Sequence, residues 1–248
     1  MYNFLSYQSV DTEIQNRMSA QSPSESRRIE AVISVVQELT TKYDLETTAR
    51  KETISAIADG STAYNVYSLM ANDDLKRVKN LRFPASSDNG EPMFRRIDQE
   101  EFYHHVAEGR HVNEYTTFYE DGELMININT GYNSSSAIDL ELIYYSFYNF
   151  IDEDGTFKDD ITYVDTDKIL LPDRFKPLVV SGALVKLWPM ALGDNGEGKA
   201  GRNLTFHKQE LVNLGLDKTG SDIKKEQKRI SIRHPYRRPN GRRVIISD

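Results

Sequence analysis

The chain of 248 residues contains no cysteine. That absence excludes a disulfide framework, a thiol nucleophile and every cysteine-ligated metal centre, and it fits a reducing cytoplasm. No apolar run approaches the roughly 18 residues of a bilayer span, and the first eight residues show neither a basic start nor an apolar segment. No export signal, anchor or membrane partner is therefore expected. Glycine and proline are sparse, 14 and 8 residues, against 14 tyrosines and 10 phenylalanines, which favours aromatic-rich strands over low complexity. At 38% hydrophobic residues the chain can bury a real core.

The net charge of −7 hides an asymmetry. Residues 217–248 hold ten Lys or Arg against Asp217, Asp222, Glu226 and Asp248, a net of +6, which leaves −13 for residues 1–216. An acidic body argues against wrapping nucleic acid, whereas a basic tail suits docking on an acidic surface or on phosphates.

Along the chain, residues 1–21 read as an N-terminal extension. Ser22, Pro23 and Glu25 form a capping-box start for a helix over 22–44, with Ile29, Val32, Ile33, Val36 and Leu39 at helical spacing. Residues 45–169 carry strand signals: Leu45–Ile57 and Ala63–Leu69 around Asp59-Gly60, Leu75–Phe83, Pro92–Ile97, and a helix capped by Asp98 that runs through His105. The strongest hairpin joins Tyr115–Tyr119 to Leu124–Ile128 through Asp121-Gly122, with Leu124, Ile126 and Ile128 facing the core. It is expected to share one sheet with an aromatic strand over Ala137–Ile151. Residues 170–216 read as helices: one opening at Leu170-Leu171-Pro172-Asp173 and disturbed at Trp188-Pro189, then a flexible Gly193–Gly198 hinge and a helix through Leu214. The expected fold class is α+β, with N- and C-terminal helices packed as a bundle, an antiparallel β domain of about six strands inserted between them, and an extended arm over 217–248.

No constellation points to a reaction. The Gly193–Ala200 segment approaches a phosphate loop, yet a helix precedes it and Ala200 stands where magnesium binding needs Ser or Thr. His104 and His105 are adjacent and so diverge by about 100° on a helix, a poor chelating pair; His111 lies beyond. Asp152-Glu153-Asp154-Gly155 lacks the register of a calcium loop. Tyr144, Tyr145, Phe147, Tyr148 and Phe150 could form a stacking platform, but alternation along a strand favours core on one face and a subunit contact on the other. No enzyme activity, cofactor or metal is expected.

The tail carries the binding signal. Arg229, Arg233, Arg237, Arg238, Arg242 and Arg243 suit charge-assisted hydrogen bonds to carboxylates, and Tyr236 with Val244, Ile245 and Ile246 supplies apolar anchors on a proline-punctuated, extended segment.

Over residues 25–192 the order of signals resembles the phage head-to-tail adaptors, including the tail tubular A-like proteins of short-tailed phages. The resemblance rests on the opening helix ending in Tyr43-Asp44-Leu45, on Ala63-Tyr64-Asn65-Val66, and on Phe94-Arg95-Arg96-Ile97-Asp98-Gln99-Glu100-Glu101-Phe102. The hairpin at Asp121-Gly122, Leu140-Glu141-Leu142-Ile143-Tyr144-Tyr145, and Leu171-Pro172-Asp173-Arg174-Phe175 before an apolar helix complete it. The proline that relatives carry after the Tyr64 strand is missing. What the resemblance implies is a non-enzymatic virion protein, assembled in the host cytoplasm into a ring, twelve-membered in most relatives. Such a ring binds the portal above and the tail tube or nozzle below, with duplex DNA passing through the lumen; the basic tail would be the portal-docking arm. A carbohydrate-binding or tail-fibre-associated β module, or a DNA-binding protein acting through the tail, are the alternatives.

Overall fold

The computed structural model describes residues 4–71, 73–84, 93–110, 112–131 and 136–217. In chain order these form β1 (Phe4–Ser6), α1 (Tyr7–Met18), α2 (Glu25–Lys42), β2 (Ala49–Ile57), β3 (Asp59–Asn65), α3 (Val66–Leu69), β4 (Leu75–Arg82), β5 (Arg95–Arg96) and α4 (Gln99–Ala107). Then follow β6 (Glu114–Glu120), β7 (Glu123–Asn129), β8 (Ala137–Ser146), β9 (Phe150–Ile151), β10 (Phe157–Lys158), β11 (Lys168–Pro172), α5 (Lys176–Leu192) and α6 (Asp194–Asn213). The described residues thus form an α+β fold with strand orders β1-β11-β9-β10, β2-β8-β4 and β3-β7-β6-β5.

One core gathers Tyr7, Val10, Ile14 and Met18 of α1, Val32, Val35, Val36 and Leu39 of α2, and Leu178, Val179, Ala183, Leu184 and Leu187 of α5. On α1 and α2 the buried residues form one inward stripe, whereas α5 is buried almost all round, from Leu178 to Leu184 without a break. The first sheet closes this body, because β1 pairs antiparallel with β11 in the register Leu5↔Ile169. Residues 4–18, expected as part of an extension, therefore contribute Leu5, Tyr7, Val10, Ile14 and Met18 to the core. Helix α2 starts at Glu25 and not at a Ser22 cap: the Ser22 amide donates to the Ser19 carbonyl and the Pro23 carbonyl accepts from Arg28 Nη1 at 2.6 Å, which holds these residues in a turn.

The other two sheets enclose a second core. Ile54, Leu75, Val78, Leu81, Leu140, Leu142 and Tyr144 from the β2-β8-β4 sheet meet Tyr115, Ile126 and Ile128 from the facing sheet. The hairpin forms as its sequence requires, with Asp121 and Gly122 both at positive φ (51° and 87°), the backbone of a type I′ turn. Ile126 and Ile128 point inward, but the hairpin and β8 lie in opposite sheets, not in one. Alternation sets which face is buried and leaves the partner strand open. The strand expected over Ala137–Ile151 is two: β8 ends at Ser146, and after Phe147–Asn149 the chain enters the helical body's sheet as β9. Likewise β3 stops at Asn65, whose side chain accepts from the Tyr67 amide and caps α3.

Leu170–Pro172 belongs to β11, and the following helix begins at Lys176. Pro189 lies inside α5, which continues to Leu192, because one missing N–H within a turn of the end is tolerated when the helix is packed. The stretch Asp173–Leu192, with mean hydropathy 1.3, is long and apolar enough by composition to cross a bilayer. Here it is the central helix, in contact with α1, α2 and α6, and this accounts for its apolar surface. The expected flexible hinge is a single residue, Gly193 (φ 56°), and Asp194–Gly198 are already helical. Gly196 is there for space: a Cβ would sit 2.1 Å from the Trp188 carbonyl oxygen.

Candidate functional site

The most unusual chemistry lies where β2 and β8 leave the sandwich. On β2, Arg50, Glu52, Ile54 and Ala56 alternate onto one face; the last two join the core, and the first two place opposite charges at its end. Asp74, just before β4, is fully buried; it forms an ion pair with Arg50 Nη1 at 2.8 Å and accepts from the Tyr144 hydroxyl at 2.9 Å and the Ser146 hydroxyl. Because Phe147 N also donates to the Asp74 carbonyl at 2.8 Å, this network fixes the point at which the chain passes from β8 towards β9. Burial and the hydrogen bond to Asp74 push the Tyr144 phenol well above its ordinary range, so it remains a donor.

Arg50 is the open member of the network. Its guanidinium carbon lies 3.7 Å from the Phe157 ring centroid and 5.4 Å from that of Tyr148. Burial lowers its pKa and Asp74 opposes that shift. Nε and Nη2 are buried and have no hydrogen-bond partner among the described residues. Beside them is a cavity of about 460 Å³ walled by Tyr144, Tyr148, Thr156 and Phe157.

A second, larger cavity of about 590 Å³ is acidic, lined by Glu25, Asp152, Glu153, Asp154 and Asp165 around the exposed Tyr163. Its Asp152–Gly155 turn is self-contained, since the Asp152 carboxylate accepts from the Thr156 amide at 2.8 Å. No group of three or more His, Asp or Glu among the described residues is placed to hold a metal ion. His104 pairs with Glu108 and His105 with Glu114, on diverging directions as their adjacency requires; His111 lies outside the described residues.

The aromatic cluster is divided between the two bodies. Tyr144 is in the sandwich core and Phe150 in the helical core, while Tyr145 is nearly buried on the outer face of its sheet beneath Arg77 and Lys79, its hydroxyl donating to Glu46. Phe147 is exposed and Tyr148 walls the Arg50 cavity. The segment resembling a phosphate loop forms the first turns of α6. Arg229, Arg233, Tyr236, Arg237, Arg238, Arg242, Arg243, Val244, Ile245 and Ile246 lie outside the described residues. Sequence reading missed Arg50, Asp74 and Phe157; the available signal was two charged residues, Arg50 and Glu52, on the otherwise apolar face of a strand.

No protein-family model matches the chain, and no curated protein is significantly similar to it.

Proposed function

We propose that this chain is a structural subunit of a tailed-phage virion, a head-to-tail adaptor that packs side by side in a ring between the portal and the tail tube or nozzle. The observation that carries the reading is the layout: helices from before and after the β module share one core, and the module is inserted between α2 and α5, the arrangement expected from the order of sequence signals that carries the resemblance. Charge supports it too. A surplus of −13 on residues 1–216 suits a ring lumen through which duplex DNA slides without sticking, because like charges repel the phosphates. The net of +6 on residues 217–248 suits an arm that docks on an acidic face of the portal. Burial of Tyr144, Tyr145 and Phe150 favours this role over a carbohydrate-binding platform, which needs its rings exposed.

Electron microscopy of the full-length protein, alone and mixed with portal, tests the reading. Rings are expected on the portal and not in the isolated protein, since closure ahead of docking would compete with ordered assembly. A stable two-fold dimer that ignores the portal would refute it, because a ring requires a heterologous interface.

A further inference from the structure

A guanidinium offers five donors, and its Nε–Nη2 edge is one that engages both oxygens of a carboxylate together. In Arg50 that edge is the unmatched part. Nη1 is fixed on Asp74 at 2.8 Å, while Nε and Nη2 are buried with no partner among the described residues. Neither neighbouring carboxylate serves the free edge. Asp74 is held by the Tyr144 and Ser146 hydroxyls, and Glu52, two residues along the same face of β2, accepts from the Ala71 amide through Oε1 while its Oε2 is buried and bonded to no donor among the described residues, Arg50 included. Lys51 also lines the cavity, but its ammonium is paired with Glu141 at 2.8 Å, so the unmatched donors there belong to Arg50. The guanidinium is also pre-positioned, with Phe157 packed over its carbon. Such a donor edge, buried and unspent beside a cavity of about 460 Å³, has the geometry of recognition and not of packing.

We propose that Arg50 is a carboxylate receptor: a ligand carboxylate engages Nε and Nη2 side by side, with its carbon skeleton in the cavity against Tyr148 and Phe157. Phe157 is the access gate. It is partly exposed and sits on the two-residue strand β10, so its ring can rotate away without breaking either core. The carboxylate comes either from a small free acid or from an Asp or Glu side chain of a second copy of this chain. The site does not depend on the ring assignment.

The test uses the full-length protein. The Arg50 Nε–Hε NMR signal, assigned through bonds, is followed during titration with glutarate and, separately, with sodium sulfate at matched ionic strength. A saturable Arg50 shift with glutarate and none with sulfate is expected. Phe157→Ala, which removes a wall of the cavity and the ring that holds the guanidinium, should weaken glutarate binding, and Arg50→Lys, which keeps the charge on Asp74 but loses the forked edge, should lose it. Sedimentation velocity over the same range separates the two sources. Self-association that glutarate reverses and Arg50→Lys lacks identifies the second copy; glutarate binding by a chain that stays monomeric identifies the free acid. Absence of a saturable Arg50 shift in the wild-type protein, or an equal response to sulfate, overturns the proposal whether or not the variants fold.

Discussion

The guanidinium of Arg28 grips both carboxylate oxygens of Asp11, Nε to Oδ1 at 2.6 Å and Nη2 to Oδ2 at 3.1 Å, and so ties α2 to α1 inside the helical body. Both side chains are buried, and Tyr7 completes the group through its hydroxyl on Asp11 at 3.4 Å. Removing one partner strands a charge out of reach of water. Asp11→Ala should destabilise the protein by about 3–5 kcal/mol, whereas the double variant Asp11→Leu/Arg28→Met should recover most of the loss. Thermal unfolding monitored by circular dichroism distinguishes these outcomes.

Ile126 is fully buried between the two sheets of the sandwich. Ile126→Asp should unfold the sandwich by placing an unpaired carboxylate there, a loss of more than about 4 kcal/mol. Tyr119, at the exposed end of the same hairpin, is the control: Tyr119→Ser should shift stability by no more than about 0.5 kcal/mol. Urea titrations of the two variants provide the comparison.

Three glycines of α6 should respond to alanine in opposite directions. Nothing lies near a Cβ added at Gly198 or Gly201, so either substitution should stabilise the protein by about 0.5–1 kcal/mol through helix propensity. At Gly196 the added carbon meets the Trp188 carbonyl, and the helical hairpin would have to part, at a cost of about 1–3 kcal/mol. Melting temperatures of the three variants, measured side by side, check the sign.

His207 packs α6 on α5, its Nδ1 lying 3.0 Å from the Leu178 carbonyl and 3.3 Å from the Ser181 hydroxyl. Burial lowers its pKa below the ordinary 6.5, with the Leu178 hydrogen bond opposing. The unfolded chain then takes up a proton at a higher pH than the folded one. Stability should be level above the ordinary value and fall as pH drops from there through the lowered pKa. Denaturation midpoints between pH 8 and pH 5 should show this slope in the wild-type protein and a smaller one in His207→Gln.

If residues 217–248 dock on the portal, deleting them should leave the melting temperature nearly unchanged and abolish attachment to portal-bearing heads, which would then leak packaged DNA. Cosedimentation with purified heads measures attachment. Undiminished binding of the truncated chain would show that the arm serves no docking role.

Features set within a few neighbouring residues were legible in the sequence. The α2 stripe, the Asp98 cap of α4 with its 2.9 Å bond to the Glu101 amide, the Asp121-Gly122 turn and the inward faces of Ile126 and Ile128 each follow from local periodicity or local hydrogen bonding. The charge reversal near residue 217 is likewise a property of composition. Tertiary structure alone decided which strand meets which. It set β8 between β2 and β4 and the hairpin in the facing sheet, and it drew the first helix into the core through the pairing of β1 with β11. It also made an unmatched donor edge of Arg50, because that depends on Asp74, Glu52 and Phe157, which occupy their places only once separate strands have packed. Periodicity tells a side chain whether to turn inward; what it finds there is decided by partners far away in the chain.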